Sequence, residues 1–208
     1  FHYELPLDEM LRRKLLRLGR FDKGDFRRGL ADRDEIARIT NDAAQDGGSV
    51  GYVHCTDWTT ARIGGVLRRE AAAGRCSLAI VDYIQLAVGR DKPGRTDEMA
   101  LALSVADLKT AAEMAGVPVV VVSQVTKEWH GRSGGGPKLT MMDLRGSGQT
   151  AEKANLVLLV WNESVVNPSC GHTVADVYVG KNTFGQTGAC QLFWDGHRCR
   201  FLPLGLSF

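Results

Sequence analysis

Apolar residues recur along this chain first at helical spacing, then in unbroken runs, and finally in short segments between turns. Leu7, Met10, Leu11, Leu15 and Leu18 fall three or four apart between arginines, which predicts an amphipathic helix from Leu7 to Leu18 ended by Gly19. A short helical turn is predicted over Asp22 to Arg28, and a second amphipathic helix over Asp32 to Ala44, through Ile36, Ile39 and Ala43. Val50 to Cys55 reads as a short strand. Thr59 to Ala73 reads as a helix through Ile63, Val66 and Leu67, despite Gly64 and Gly65. The run Ser77-Leu78-Ala79-Ile80-Val81-Asp82-Tyr83-Ile84-Gln85-Leu86 then breaks the helical period. Continuous apolar character predicts a central strand of a parallel sheet, covered on both faces. A long helix follows over Arg95 to Ala115 with Gly116 as its cap. Val117 to Val122 is a second such strand, ending in Ser123-Gln124. A helical stretch at Gln149 to Ala154 leads into a strand from Leu156 to Trp161. Strands at Val174 to Lys181, Gly188 to Trp194 and Arg198 to Leu202 close the chain, the last two joined by the hairpin signal Asp195-Gly196. The expectation is an α/β fold, with a mostly parallel central sheet flanked by helices and an antiparallel C-terminal edge.

Composition narrows the class. At 208 residues the chain is long enough for one well-cored domain, and its 44% apolar and 24% charged content is that of a globular protein. No apolar run approaches the roughly 18 residues of a membrane span. A formal charge of +2 is too small to argue for nucleic acid, so any basic surface must be local. Five widely spaced cysteines without a C-x-x-C pair favour reduced thiols and a cytoplasmic setting. Cys170-Gly171-His172 offers two metal ligands, too few for a zinc site. The opening Phe1-His2-Tyr3-Glu4-Leu5-Pro6 reads as the tail of a strand already under way, hence as a single domain (residues 1–208) cut at its N-terminus.

Three apolar segments end in polar groups: Glu4, Asp82 and Gln124. Open α/β sheets bind ligands at the carboxyl ends of their strands. A carboxylate to polarise water, a carboxylate for magnesium and an amide to sense a γ-phosphate together suit nucleoside triphosphate hydrolysis. Asp82 alone is equally the solvated end of a strand. A phosphate loop needs G-x-x-x-x-G-K-[ST]. Gly89-Arg90-Asp91-Lys92-Pro93-Gly94-Arg95-Thr96 comes near, but arginine replaces the lysine and the preceding strand already carries Asp82, so it reads as a solvated connection. Lys127, Arg132, Lys138 and Arg145 lie in one glycine-rich stretch with Trp129 and His130 between them. Cations with an interleaved aromatic suit single-stranded nucleic acid, and a solvated surface loop is the plainer alternative.

Five motifs in register resemble the RecA-like motor domain of DnaB-type replicative helicases, from Phe1 to about Pro203. They are Glu4 with its following helix, Val81 to Leu86, Val117 to Gln124, Asp143-Leu144-Arg145-Gly146-Ser147-Gly148, and Gly180-Lys181-Asn182-Thr183-Phe184-Gly185-Gln186-Thr187-Gly188. The resemblance implies a P-loop NTPase core that uses ATP and Mg2+. It implies Glu4 as general base and Asp82 as the magnesium residue, commonly through water. Gln124 would couple the γ-phosphate to the DNA loops, and Lys181 would reach the γ-phosphate of a neighbouring subunit. Arg145, with backbone at Gly146 and Gly148, would grip single-stranded DNA beside Lys127, Arg132 and Lys138. It further implies a homo-oligomer, expected as a hexameric ring, with primase and a helicase loader as partners and a bacterial or phage cytoplasm as the setting. The family's Walker A loop belongs upstream of Glu4 by about one βαβ-sized stretch, roughly 30 residues. The 208 residues alone are therefore expected to hydrolyse no ATP.

Two positions depart from that pattern. The family's arginine finger, two residues after the lysine, is Thr183 here, and such a finger contributes on the order of a thousandfold or more to turnover. Lys181 alone, or Arg198 or Arg200, would have to compensate. Gly146 stands where the family commonly has glutamate. The alternatives are therefore a catalytically weakened RecA-fold DNA-binding or ring-scaffold protein, and a RecA-like ATPase of recombinase type.

Overall fold

The computed structural model describes residues 1–19, 21–45, 50–87, 97–125, 139–144, 147–167, 169 and 173–204. In chain order its elements are α1 (Leu7–Leu18), α2 (Lys23–Arg27), α3 (Arg33–Gln45), α4 (Thr60–Ala72), β1 (Ala79–Val81), α5 (Asp97–Ala115), β2 (Val119–Val121), α6 (Ser147–Lys153), β3 (Leu156–Asn162), α7 (Glu163–Val166), β4 (Val174–Asn182), β5 (Gly188–Asp195) and β6 (Arg200–Pro203). Short 3-10 turns at Ile84–Leu86 and Met141–Asp143 punctuate them. The strands form a parallel pair, β1-β2, and a four-stranded sheet in the order β3-β4-β5-β6. The chain divides into two compact units.

The first unit comprises Phe1–Glu4, Val53–Leu159 and Tyr178–Gly188. Here β1 and β2 run parallel with Ala79 opposite Val119, Ile80 opposite Val120 and Val81 opposite Val121. The chain's first residues extend this pairing, for His2 bridges in parallel to both Asp82 and His54. Asp82 N donates to Phe1 O at 2.9 Å and Tyr3 N donates back to Asp82 O at 3.0 Å. On the other side His2 N donates to Val53 O at 2.9 Å, and Cys55 N to His2 O at 2.8 Å. The strand expected over Val50 to Cys55 is thus reduced to a single bridge at His54. The run resuming after Asp82 is no strand either: the backbone turns into the 3-10 segment at Ile84.

Helices α4 and α5 cover one face of this sheet. Thr59 caps α4 by accepting from Arg62 N at 3.2 Å, and Gly116 ends α5 at φ 64°. Ile63, Val81, Ile84, Leu101, Val105 and Leu108 form the core between them, with Tyr3 and Cys55. Burial there pushes the Cys55 thiol up from its ordinary value. Gly64 has a packing reason, because a Cβ on it would stand 3.0 Å from Ala111 Cβ on α5. The opposite face corrects the expectation of strands buried on both sides. Leu78, Ile80, Val120 and Val122 remain 40–51% exposed, since no described element lies over them.

The second unit comprises Leu5–Tyr52, Val160–Val177 and Ala189–Phe208. Leu16, Phe21 and Ile39 make its helical core, and Asp22 caps α2 by accepting from Gly24 N and Asp25 N. The C-terminal hairpin pairs β5 and β6 antiparallel, with Asp195 opposite Arg200. Trp194 packs on Phe201, ring centroids 4.7 Å apart. Asp195 is nearly buried and accepts from Arg198 Nη1 at 3.2 Å and Arg200 Nε at 3.1 Å. Its burial would raise the carboxyl pKa, but the hydrogen bonds from Arg198 and Arg200 outweigh that and hold it below the usual range.

Gly64→Leu is expected to lower stability by about 1–3 kcal/mol through overpacking against α5. Gly65→Ala, which meets open space, is expected to raise it by about 0.5–1 kcal/mol. Urea titration of both variants checks the pair, and equal effects would contradict the packing. A carboxyl held low in the native state adds stability that is present above its unfolded pKa and lost as pH falls through the folded one. Asp195→Asn should therefore cost about 1–2 kcal/mol at pH 7, discounted for the half-exposed arginines. That gap should close as pH falls below about 4. Denaturation midpoints across pH 3–7 measure it.

Candidate functional site

Parallel pairing sends the ends of neighbouring segments to one edge. Because His2 is bridged to Asp82 and Val81 to Val121, the residues at and just past the ends of these pairings lie along one edge. Those residues are Glu4, Asp82 and Gln124. Glu4 and Gln124 are exposed, and Asp82 is half-buried. The Glu4 and Asp82 carboxylates make no hydrogen bond or ion pair among the described residues. The peptide bond from Asp82 to Tyr83 is cis.

The end of β2 is braced by a side chain. Val122 N donates to Val81 O at 2.9 Å and Ile84 N donates to Val122 O at 3.0 Å, which carries the ladder past Asp82. Beyond that point the first strand has turned away into its 3-10 segment. The Gln85 amide takes over: Oε1 accepts from Gln124 N at 3.3 Å, and Nε2 donates to Gln124 O at 3.3 Å and to Ser123 Oγ at 2.8 Å. The Gln124 main chain is held while its own side chain faces outward.

Lys181 is described on β4, and its ammonium is engaged within its own chain. Nζ donates to Glu152 O at 2.7 Å and Ala151 O at 3.1 Å, the carbonyls that end α6. Lys109 Nζ donates to Lys153 O at 3.2 Å on the same helix end. Both lysines satisfy carbonyls that lack an intrahelical partner and face the negative end of the helix dipole. Thr183 is exposed, with its N–H bonded to Asn155 O at 2.9 Å. Arg198 and Arg200 are both engaged with Asp195.

Gly148 lies in the first turn of α6. Lys127, Arg132, Lys138, Arg145 and Gly146 lie outside the described residues, as do residues 89–96, Cys170 and His172. Among the described residues no three histidine, cysteine or acidic groups cluster as a closed metal cage. Carboxylate oxygens at a strand end, with room for water and phosphate, are nevertheless what magnesium takes; it is commonly held by one or two carboxylates, water and substrate phosphates. Asp82, with Glu4 nearby in the backbone, fits that donor chemistry. No helix among the described residues is long and apolar enough to cross a membrane.

Neither Gln85 nor Lys109 is assigned a role by the sequence pattern. For Gln85 a signal existed: a lone amide three residues after Asp82 inside an apolar run. For Lys109, one lysine on a long helix carries no such mark.

Residues 1–203 match the family described as DnaB-like helicase C terminal domain. The replicative DNA helicase DnaB of Buchnera aphidicola subsp. Acyrthosiphon pisum (strain APS) is 27% identical over 97% of this chain, and that of Pasteurella multocida 28% over 97%. The chain spans 44% of the length of each. A solved DnaB-like replicative helicase, described with its interactions with primase, superposes with TM-score 0.84 at 19% identity, covering 98% of this chain and 49% of the other. A second solved structure, an ATPase domain, superposes with TM-score 0.84 over 97% of this chain and 72% of its own. At that identity the two structures speak for the fold, while the match over 203 residues speaks for the family. The α/β chain built around Asp82 belongs to the DnaB-like helicase C-terminal domain family.

Proposed function

We propose that this chain is the motor portion of a ring-shaped replicative DNA helicase, coupling ATP hydrolysis at subunit interfaces to movement along single-stranded DNA and duplex unwinding. The observation that carries the reading is the shared edge: Glu4, Asp82 and Gln124 end hydrogen-bonded or directly paired parallel segments. Glu4, exposed at the end of its segment, takes the proton of the attacking water. Asp82 is the residue that would hold magnesium. When bound with ATP, magnesium neutralises charge on the phosphates. Gln124 presents its amide to the γ-phosphate from a braced main chain. Lys181 completes the site of the adjacent subunit, which requires it to leave the carbonyls of Ala151 and Glu152.

Arg145, with Gly146 and Gly148, forms the DNA grip, assisted by Lys127, Arg132 and Lys138. Gly148 lies in the first turn of α6, where backbone N–H groups lack an intrahelical acceptor and a phosphate is favoured. A hexamer, primase and loader contacts and a cytoplasmic setting complete the reading. Its primase element draws on the solved DnaB-like helicase described with primase.

A second reading, a ring protein that grips DNA without hydrolysis, is favoured by one set of observations. Thr183 replaces the finger, and Arg198 and Arg200 are engaged with Asp195. The discriminating test uses the complete open reading frame that encodes this chain. DNA-stimulated ATP turnover is expected, and Glu4→Gln should lower it by roughly 100- to 10,000-fold with nucleotide binding retained. Unchanged turnover would remove Glu4 as the base, and no turnover in the parent protein would favour the second reading. Arg145→Ala should weaken single-strand binding and reduce the slope of log K against log salt by about 0.7. An unchanged slope would remove Arg145 from the grip.

A further inference from the structure

We infer that Gln85 is a positioning residue for Gln124, a side-chain rung that ties the γ-phosphate-sensing strand to the strand carrying Asp82. The inference rests on the proposed sensing role of Gln124.

In a parallel ladder, alternate residues of one strand use both their N–H and C=O on the same neighbour. Val122 does so, to Val81 and to Ile84. Gln124 is the next residue in that alternation and needs the same two partners. The backbone cannot supply them, because after Tyr83 the first strand winds into the 3-10 turn at Ile84–Leu86. Gln85 sits inside that turn, half-buried, and its primary amide carries the donor and acceptor of a peptide group. It bonds both backbone groups of Gln124, each at 3.3 Å, and its second N–H meets Ser123 Oγ at 2.8 Å. Ser123 Oγ lies 3.5 Å from Gln124 O, which closes the small network.

Glutamine suits this position because the acceptor and the donors are both used. A carboxylate would keep the acceptor for Gln124 N–H but would face the Gln124 carbonyl and the Ser123 hydroxyl oxygen with negative charge. Leucine would keep the bulk and lose every bond. Ile84, on one side of Gln85, is fully buried in the core beneath Asp82, so the amide is anchored to the same rigid block as the magnesium residue. A shift of Gln124 in response to phosphate is then transmitted as a shift against that block, without slack. The brace also holds Gln124 in the right place before nucleotide arrives.

The test uses the complete protein encoded by the open reading frame, with Gln85→Leu, Gln85→Glu, Gln124→Ala and the double variant Gln85→Leu/Gln124→Ala. Three readouts are needed: the KM for ATP, kcat at saturating single-stranded DNA, and the ratio of DNA affinities with a non-hydrolysable ATP analogue and with ADP. Gln85→Leu and Gln85→Glu are each expected to lower kcat by about tenfold or more, with KM within about twofold and the affinity ratio drawn towards one. The double variant should be no worse than Gln124→Ala, since the brace acts through Gln124. A merely structural role would lower the melting temperature and leave the affinity ratio intact. That outcome, with Gln124→Ala uncoupled and both Gln85 variants coupled, overturns the positioning role alone. If Gln124→Ala itself keeps the parental ratio, the sensing role falls and the positioning role falls with it. Should Gln85→Leu fail to fold, Gln85→Glu decides, because it preserves the shape and one bond.

Discussion

Two main-chain hydrogen bonds, Asp82 N to Phe1 O and Tyr3 N to Asp82 O, govern where the two candidate carboxylates stand relative to one another. They force the opening residues to run beside β1 in the same direction, so Glu4 must emerge at the edge where Asp82 emerges. The register is secured from beneath. Val81 is fully buried under α4 and α5, and Ile80 points the other way. A slip of one residue would exchange them, exposing a core valine and flipping each neighbour to the wrong face. Hydrophobic burial therefore protects the alignment of two polar groups that contribute little to the fold themselves.

Elsewhere, cations are held by partners of their own chain. The last turn of α6 draws in Lys109 and Lys181, and Asp195 draws in Arg198 and Arg200. The two arrangements differ in character. Asp195 is nearly buried and paired in a hairpin, so its arginines serve the hairpin. The α6 carbonyls are neutral acceptors, so the bonds they receive from Lys109 and Lys181 can be exchanged for bonds to a stronger anion.

Most helices were legible from spacing alone. The periods of α1, α3 and α4 were regular, and Gly19, Thr59 and Gly116 marked ends that the structure also shows. Strands were overread. Val50 to Cys55 and the stretch after Asp82 are apolar enough for sheet, yet only His54 pairs, and Ile84–Leu86 coils into a turn that buries Ile84 against the core. An apolar run reports burial, and burial is compatible with either geometry. The same run also suggested cover on both faces, whereas Ile80 and Val120 show that one face lacks it among the described residues. Glu4, Asp82 and Gln124 stood out because each ends an apolar segment. Gln85 did not, because its bond to Gln124 spans 39 residues and depends on a register that no local pattern encodes.

The berth of Lys181 on α6 sets a threshold for whatever recruits it. A ligand that needs this ammonium meets a population in which only a fraction is detached, and its apparent affinity is scaled down by that fraction. A weak anion would leave the lysine at rest, while a densely charged one would draw it off. Detachment also strips two carbonyls from the end of a helix that begins beside Gly148. The occupancy of one site would thus be written into the fraying of a helix end some thirty residues away in the chain.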